Sequence, residues 1–182
     1  HVFGIDIKDL QSTNYKLQTF YNFDLADREK LIETIEEINP DILIHCAAYT
    51  DVDGCELDPE KAHQMNTIVT AGVAEGCKLT SCNMVYISTD FVFDGEKERP
   101  HKEEDKPSPI NEYAKSKLNG EKAVIDELDK YIIIRSGWLY GRGGKNFVDT
   151  IIRKAKQEKK LEVVNDQIGS VSYTHLTLPT KR

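Results

Sequence analysis

The sequence lacks a long hydrophobic run, an excess of basic residues and any pair of cysteines spaced as C-x-x-C. No apolar stretch approaches the roughly 18 residues of a membrane span. The 182 residues include 24 Lys and Arg against 31 Asp and Glu, a formal net charge of −7, and this acidic balance argues against a general nucleic-acid or membrane-surface binder. No secretory leader is recognised before the 4 cysteines, so we predict a reducing, cytoplasmic location and no disulfide framework.

The chain also begins without an initiator methionine, and no glycine-rich phosphate-binding turn precedes its first apolar segment. Its composition, 39% hydrophobic and 30% charged, is that of an ordinary globular protein. We therefore expect a folded domain with a sizeable core, and we expect the chain to be a fragment of a longer protein.

Potential metal ligands cluster between His45 and His63, but another interpretation suits them better. His45 and Cys46 are adjacent in an apparent strand, so their side chains point to opposite faces. Cys55 and Cys77 are interpreted as small apolar residues. We therefore predict no metal ligand.

Short apolar runs alternate with segments of helical periodicity along the chain. Segment 41–48 is almost continuously apolar, which is typical of a strand buried on both faces. At Asp58-Pro59 an N-cap residue is followed by proline at the first helical position, which indicates a helix start. The predicted strands are 2–7, 41–48, 84–88, 131–135 and 161–164, the predicted helices begin near 27, 58, 112 and 147, and 8–23 and 94–111 are predicted loops. This alternation predicts an α/β fold with a doubly wound parallel sheet of the Rossmann type.

Ligands bind open α/β sheets beyond the carboxyl ends of the strands, so the residues after each apolar run are candidates for binding. Asp6 follows the first run, where an acid accepts the 2′-hydroxyl of an adenosine ribose and favours NAD; a loop-capping aspartate is the alternative. Lys8 lies nearby and is suited to a 2′-phosphate, which leaves the choice between NAD and NADP open. Small and hydroxylated residues follow the later strands, at 47–50, 88–90 and 136–141.

Tyr113 and Lys117 are spaced i and i+4, on one face of a predicted helix. A phenol with a pKa of about 10 is a poor acid at neutral pH, and a neighbouring ammonium lowers that pKa by favouring the phenolate. The pair is therefore suited to protonate an alkoxide formed when hydride reaches a ketone, and the Thr89 hydroxyl, at a strand end, is placed to hold the same oxygen. An exposed surface pair is the alternative, so the interpretation depends on the order of the surrounding motifs.

Four motifs in register resemble those of the dTDP-4-dehydrorhamnose reductases, which are extended short-chain dehydrogenase/reductases. The motifs are AAYTDVD at 47–53, STDFVFDG at 88–95, YAKSK at 113–117 and RSGWLYG at 135–141. The resemblance extends over roughly 2–170. It implies NADP or NAD as the cofactor and reduction of the 4-keto group of a dTDP-sugar, dTDP-4-dehydro-L-rhamnose.

The resemblance also implies roles for the matching positions. Tyr113 would donate the proton to the C4 oxygen of the sugar, Lys117 would lower the pKa of Tyr113 and bind the nicotinamide ribose, and Thr89 would hydrogen-bond the reacting oxygen. The other implied positions are Ala48, Tyr49 and Thr50 along the cofactor, Asp24 and Leu25 beside its adenine, and Asp90 and Trp138 at the sugar. A helix-capping Asp24 and a core aromatic Trp138 are the alternatives.

Two parts of the family pattern have no counterpart in the chain: the first βα unit with its glycine-rich turn, and most of the C-terminal substrate domain. We therefore expect 1–170 to be a partial NAD(P)-binding domain with the catalytic motifs, and 171–182 to be a non-native tail. By itself the chain is expected to be inactive and to bind NAD(P)H weakly or not at all. The resemblance allows a homodimer, for which no residues are assigned.

Two other functions fit the same motifs. One is another extended family member acting on a nucleotide sugar, such as an epimerase or dehydratase; Phe91 counts against a dehydratase, which usually has an acidic pair after the strand-end hydroxyl. The other is a non-catalytic, reductase-like regulatory subunit that binds NADP and a partner enzyme.

Overall fold

In the computed structural model, residues 1–7, 19–97, 99–139, 146–158 and 160–163 are described. The chain divides into two compact units, His1–Ile134 and Arg135–Arg182. Within the described ranges, no helix is long and apolar enough to cross a membrane. The predicted tail, 171–182, lies outside the described residues.

The elements follow the predicted alternation of strands and helices. The strands are β1 (Phe3–Asp6), β2 (Thr19–Asn22), β3 (Ile42–His45), β4 (Asn83–Thr89) and β5 (Tyr131–Ser136). The α-helices are α1 (Arg28–Ile38), α2 (Val52–Leu57), α3 (Pro59–His63), α4 (Val69–Thr80), α5 (Glu112–Glu127) and α6 (Phe147–Gln157), with a π-helix at Gln64–Ile68 and a 3₁₀ turn at Asp90–Val92.

The strands form two sheets in the described residues. β1 pairs in parallel with β2, with Phe3 opposite Thr19, and the second sheet has the order β3-β4-β5, with β3 parallel to β4. The predicted α/β fold with parallel strands is confirmed.

Three details of the prediction are wrong. Residues 19–22 form β2 instead of continuing a loop. The segment is short, aromatic and without clear alternation, so its pairing with β1 makes it a strand although its own pattern does not predict one. Residues 8–18 lie outside the described ranges. Residues 161–163 form no strand. The segment expected to be buried on both faces is buried on one: Ile42 and Ile44 are 59% and 63% exposed.

The core of the first unit lies between the second sheet and the helices α1, α4 and α5. Met84 and Tyr86 alternate along the inner face of β4, and both are 0% exposed. They pack in one cluster with Leu31 and Ile35 of α1 and with Val124 of α5. The helices therefore cover one face of β4, and this fixes how α5 lies against the carboxyl end of that strand.

Side-chain caps set the helix starts. Asp58 accepts a hydrogen bond from the Lys61 amide with Pro59 at the first helical position, as predicted. Asn111 accepts from the Ala114 amide at 2.8 Å and thereby begins α5. These caps determine which residues occupy the first turn of α5, where the predicted tyrosine lies.

In the second unit, Asn146 caps α6 by accepting a hydrogen bond from the Asp149 amide at 2.9 Å. No residue of α6 is buried, and Phe147 is 63% exposed.

Candidate active site

β4 ends at Thr89, and a single 3₁₀ turn follows it. Thr89 Oγ1 accepts a hydrogen bond from the Phe91 amide at 3.2 Å and donates to Asp90 Oδ1 at 3.3 Å. Burial raises the pKa of Asp90, against the lowering effect of the hydrogen bond from Thr89. The two residues predicted to meet the sugar thus lie side by side beyond the sheet.

Tyr113 lies in the first turn of α5 and faces this strand end. Its ring meets Phe91 edge-on, with ring centres 6.0 Å apart. Burial raises the pKa of Tyr113, and a hydrogen bond between Tyr113 and Thr89 opposes that effect. The structure therefore brings together the predicted hydroxyl and phenol.

Lys117, one turn further along α5, is 2% exposed. Its Nζ donates a hydrogen bond to the Ile87 carbonyl at 2.8 Å and lies 4.2 Å from the centre of the Tyr86 ring. Burial lowers the pKa of Lys117 to about 8, and the negative charge of Glu121 opposes that effect. Lys117 is thus a buried cation beneath the site. Its burial argues against the alternative that Tyr113 and Lys117 form an exposed surface pair.

In the structure, the pKa of Tyr113 shifts in the direction opposite to the predicted one. The sequence predicts a lowered pKa for Tyr113, whereas burial raises it. The physical reason is that desolvation of the phenol is the largest effect, while the Lys117 ammonium is engaged by the Ile87 carbonyl and the Tyr86 ring.

Asn66 joins the loop after β3 to α5. Its Oδ1 accepts from the Tyr49 amide at 2.8 Å, and its Nδ2 donates to the Tyr49 carbonyl at 3.0 Å and to Ser116 Oγ at 2.9 Å. Ser116 Oγ in turn donates to the Tyr113 carbonyl at 2.8 Å. The backbone of Tyr49, predicted to run along the cofactor, is therefore tied to the catalytic helix.

Asn66 lies in the π-helix and was not identified from the sequence. The predicted inward stripe includes Met65, but Met65 is only half-buried and Asn66 is 0% exposed. Both positions fit the helical spacing, three and four residues after Ala62, so the spacing alone does not choose between them. A polar residue spaced four after Ala62 and three before Val69, inside an apolar stripe, was the available signal.

A second buried polar group lies beneath Thr89. Ser88 Oγ donates to Glu121 Oε1 at 2.5 Å, and the two side chains belong to residues that are 4% and 1% exposed. Beside them, His45 stacks on Tyr86 with ring centres 5.6 Å apart. The sequence analysis includes Ser88 among the hydroxylated residues after the strands but does not identify Glu121, because a carboxylate on a charged helix gives no pattern that distinguishes a buried position from an exposed one.

His45 is neutral in this environment. Burial, with a smaller effect from the Lys117 charge, lowers its pKa to about 3. Thr70 Oγ1 donates to the Asn66 carbonyl at 2.9 Å, so its contact of 3.1 Å with His45 Nε2 requires that nitrogen to be the donor. His45 is buried while Cys46 is exposed, as predicted from the alternation of strand residues.

The residues predicted to bind the adenosine end lie in the β1–β2 sheet and the loop after it. Asp6 is half-buried at the end of β1, and its carbonyl accepts from Asn22 Nδ2 at 3.2 Å. Asp24 is exposed and accepts a hydrogen bond from the Ala26 amide at 2.9 Å, so it caps a turn. The alternative, a helix-capping Asp24, is wrong, because Asp27 caps α1. Leu25 packs against the core cluster.

The remaining predicted positions lie in the loop after β3, in the second unit and outside the described residues. Ala48 is half-buried and Thr50 is exposed, on either side of Tyr49 in the loop after β3. Trp138 belongs to the second unit, is 43% exposed and has a left-handed backbone with φ of 47°. Lys8 lies outside the described residues.

The described residues include no group of three or more His, Cys, Asp and Glu side chains arranged to hold a metal ion. All four cysteines are unpaired, and Cys55 and Cys77 are 0% exposed, as expected for small core residues. The site therefore consists of a hydroxyl, a phenol and an ammonium at the carboxyl end of a parallel sheet, which is an arrangement suited to moving a proton at an oxygen atom.

A family model, the RmlD substrate binding domain, matches residues 4–177, which ends within the segment predicted to be a non-native tail. The dTDP-4-dehydrorhamnose reductase of Salmonella typhimurium is 39% identical over 147 residues, which are 81% of this chain and 49% of that protein. The dTDP-4-dehydrorhamnose reductase of Sinorhizobium fredii is 41% identical over 148 residues, with coverage of 81% and 50%. The chain thus spans about half the length of the curated relatives it matches.

A solved structure gives the same result. The dTDP-4-dehydrorhamnose reductase from Bacillus anthracis, in complex with NADP, matches with a TM-score of 0.84 and 38% identity. The match covers 94% of this chain and 65% of that one. At this identity and coverage, the likeness includes the sequence as well as the fold.

Proposed function

This chain belongs to the RmlD substrate binding domain family, whose model it matches over residues 4–177, and we propose that it carries the catalytic centre of a reductase. The reaction is reduction of the 4-keto group of dTDP-4-dehydro-L-rhamnose to dTDP-L-rhamnose, with NADPH or NADH. One observation carries the proposal: Thr89, Tyr113 and Lys117 converge at the carboxyl end of β4.

The proton chemistry follows from the described side chains. Tyr113 donates its phenolic proton to the C4 oxygen, and Thr89 turns its single hydroxyl proton from Asp90 to the same oxygen. Lys117 lies one turn away on the same helix face, and its positive charge works against the effect of burial by favouring the phenolate that remains. When bound, the reduced nicotinamide supplies the hydride.

The residues present fit a dinucleotide at this sheet edge. A protonated lysine has three N–H donors and the Ile87 carbonyl takes one from Lys117, so two donors remain for ribose hydroxyls. Tyr49 is held by both its amide and its carbonyl, which gives the cofactor-facing loop a defined backbone. Asp6, at the end of β1, is an acceptor suited to a ribose 2′-hydroxyl.

The remaining roles complete the proposal. Ala48 and Thr50 flank Tyr49 along the cofactor, Asp24 and Leu25 lie at the adenine, and Asp90 contacts the sugar. For Trp138, a contact with the sugar stays a prediction from the family resemblance. The half-buried Asp90 beside Thr89 supports the sugar assignment. The four unpaired cysteines are compatible with a reducing cytoplasm.

A chimera tests the function. This chain replaces the matching segment of the Salmonella typhimurium reductase, and NADPH oxidation is followed with dTDP-4-dehydro-L-rhamnose. We expect turnover that Tyr113→Phe reduces by roughly 100-fold or more, because the phenolic proton donor is lost. The matched control is Tyr131→Phe, at an exposed tyrosine of β5, which retains turnover.

Two outcomes would contradict the proposal. Undiminished turnover of Tyr113→Phe excludes the phenol as the proton donor. A chimera that binds NADPH but reduces no keto-sugar excludes the reductase and favours the regulatory alternative, for which co-purification of one stoichiometric enzyme partner is the further sign.

A further inference from the structure

Glu121 is a carboxylate in the interior of the protein, 1% exposed, on the inner face of α5. Its Oε1 accepts the 2.5 Å hydrogen bond from Ser88 Oγ. Removing a charge from water costs free energy, and a neutral side chain of the same shape would accept the same hydrogen bond. The charge itself therefore needs an explanation.

The position of Glu121 supplies one. Tyr113, Lys117 and Glu121 are spaced i, i+4 and i+8 on α5, so they share one face of the helix. Ser88 directly precedes Thr89 on β4. The Ser88–Glu121 hydrogen bond therefore joins the strand and the helix that carry the three proposed catalytic residues.

The second link is electrostatic. Lys117 is buried, so desolvation favours loss of its proton, and the negative charge of Glu121 acts against that loss. Among the described residues, the other titratable groups near Lys117 are His45 at the end of β3, Cys46 directly after it, Tyr86 of β4 and Tyr113 of α5. His45 is neutral at pH 7, and burial raises the pKa values of both Cys46 and Tyr86, so these two are protonated there. In the described part of the chain, Glu121 is therefore the group whose charge opposes the effect of desolvation on Lys117.

We propose that Glu121 is a positioning residue of this site: through Ser88 it fixes α5 against the end of β4, and from one turn along the same buried helix face it acts on the Lys117 ammonium. The proposal deepens the proposed function, on which its catalytic meaning rests. Its electrostatic part concerns this chain alone and does not depend on turnover.

The decisive measurement is the titration midpoint of Lys117 in this chain, followed by NMR with lysine labelled at Cε and assigned with Lys117→Arg. Glu121→Gln keeps an oxygen to accept from Ser88 and removes the charge. We expect the midpoint to fall by about one pH unit. The matched control is Glu127→Gln on the same helix, where the carboxylate is exposed and pairs with Lys78 at 2.8 Å; it leaves the midpoint of Lys117 unchanged.

An unchanged midpoint in folded Glu121→Gln would overturn the proposal and leave Glu121 a structural residue only. If the glutamine variant does not fold, the double variant Ser88→Ala/Glu121→Met replaces both polar partners by apolar groups, a change that proteins often tolerate. The midpoint must fall in that variant too, and a midpoint equal to that of the wild type refutes the role of the charge.

The chimera separates this proposal from the proposed function. There, Glu121→Gln is expected to move the alkaline limb of the kcat profile to lower pH, since Lys117 loses its proton earlier. A chimera without any turnover counts against the reductase, while the midpoint of Lys117 still decides the role of Glu121. A shifted midpoint with an unshifted kcat profile would mean that Glu121 affects only the charge state of Lys117, and this result refutes its part in catalysis.

Discussion

The Nζ atom of Lys117 lies 4.2 Å from the centre of the Tyr86 ring, in a place where both side chains are buried. The aromatic face and the Ile87 carbonyl together replace the water that a lysine normally has around its ammonium. This arrangement holds a cation beneath the proposed catalytic tyrosine, and its cost in desolvation should be visible in the pH dependence of stability.

The first prediction concerns that pH dependence. The pKa of Lys117 is about 8 in the folded state and 10.5 when unperturbed, so between these values the unfolded chain binds more protons and stability rises with pH. Relative to Lys117→Met, the free energy of unfolding of the wild type should therefore rise from about pH 8 to about pH 10.5.

Urea unfolding at a series of alkaline pH values measures this difference. Lys115→Met is the control, because Lys115 lies exposed on the same helix and its pKa is raised by Glu112. It should show the same alkaline rise as the wild type. A rise of equal size in Lys117→Met would mean that Lys117 is not the group responsible.

The second prediction concerns acid sensitivity through His45. Its pKa is about 3 in the folded state and 6.5 when unperturbed, so the unfolded chain binds the proton first and stability falls as the pH decreases through this window. His45→Gln removes the titrating group, and the loss of stability between pH 7 and pH 4 should be smaller by about 3 kcal/mol. Thermal unfolding across this range checks it, with His63→Gln, at an exposed position on α3, as the variant that keeps the wild-type loss.

The third prediction compares two helical glycines. A Cβ at Gly120 would lie 2.4 Å from the Asn66 carbonyl oxygen and 2.5 Å from the Tyr86 hydroxyl, so α5 must move away from the π-helix to admit it. Gly120→Ala should destabilise the fold by about 1–3 kcal/mol. At Gly72 the nearest atom is 3.5 Å away, so Gly72→Ala meets only ordinary contacts and should stabilise α4 by about 0.5–1 kcal/mol. Equal denaturation midpoints for the two variants would rule out the close approach at Gly120.

The fourth prediction concerns Asn66. Asn66→Ala leaves the Tyr49 amide without its partner and the Tyr49 carbonyl with only the Cys55 thiol at 3.7 Å, and it should cost about 2–4 kcal/mol of unfolding free energy. Asn119→Ala, on the outer part of α5 where the amide only accepts from Lys122, should change stability by less than about 0.5 kcal/mol. Chemical denaturation of both variants provides the test. If Asn66→Ala proves as stable as Asn119→Ala, the connection between Tyr49 and α5 has no energetic weight.

The sequence by itself determined the α/β alternation, the parallel strands and the candidate catalytic trio. Apolar runs and helical periodicity are local patterns, and the order of Thr89, Tyr113 and Lys117 among them places all three residues at one sheet edge. The caps at Asp58 and Asn111 are equally local, because each depends on residues only three positions away.

Only the tertiary structure decided what surrounds that trio. The burial of Lys117 depends on β4 packing against α5, which is a contact between segments about thirty residues apart. The buried Asn66, the buried Glu121 and the raised pKa of Tyr113 likewise come from packing between distant segments. Local pattern shows which residues are available for chemistry, whereas desolvation and long-range contacts set their charges, and these exist only once the chain is folded.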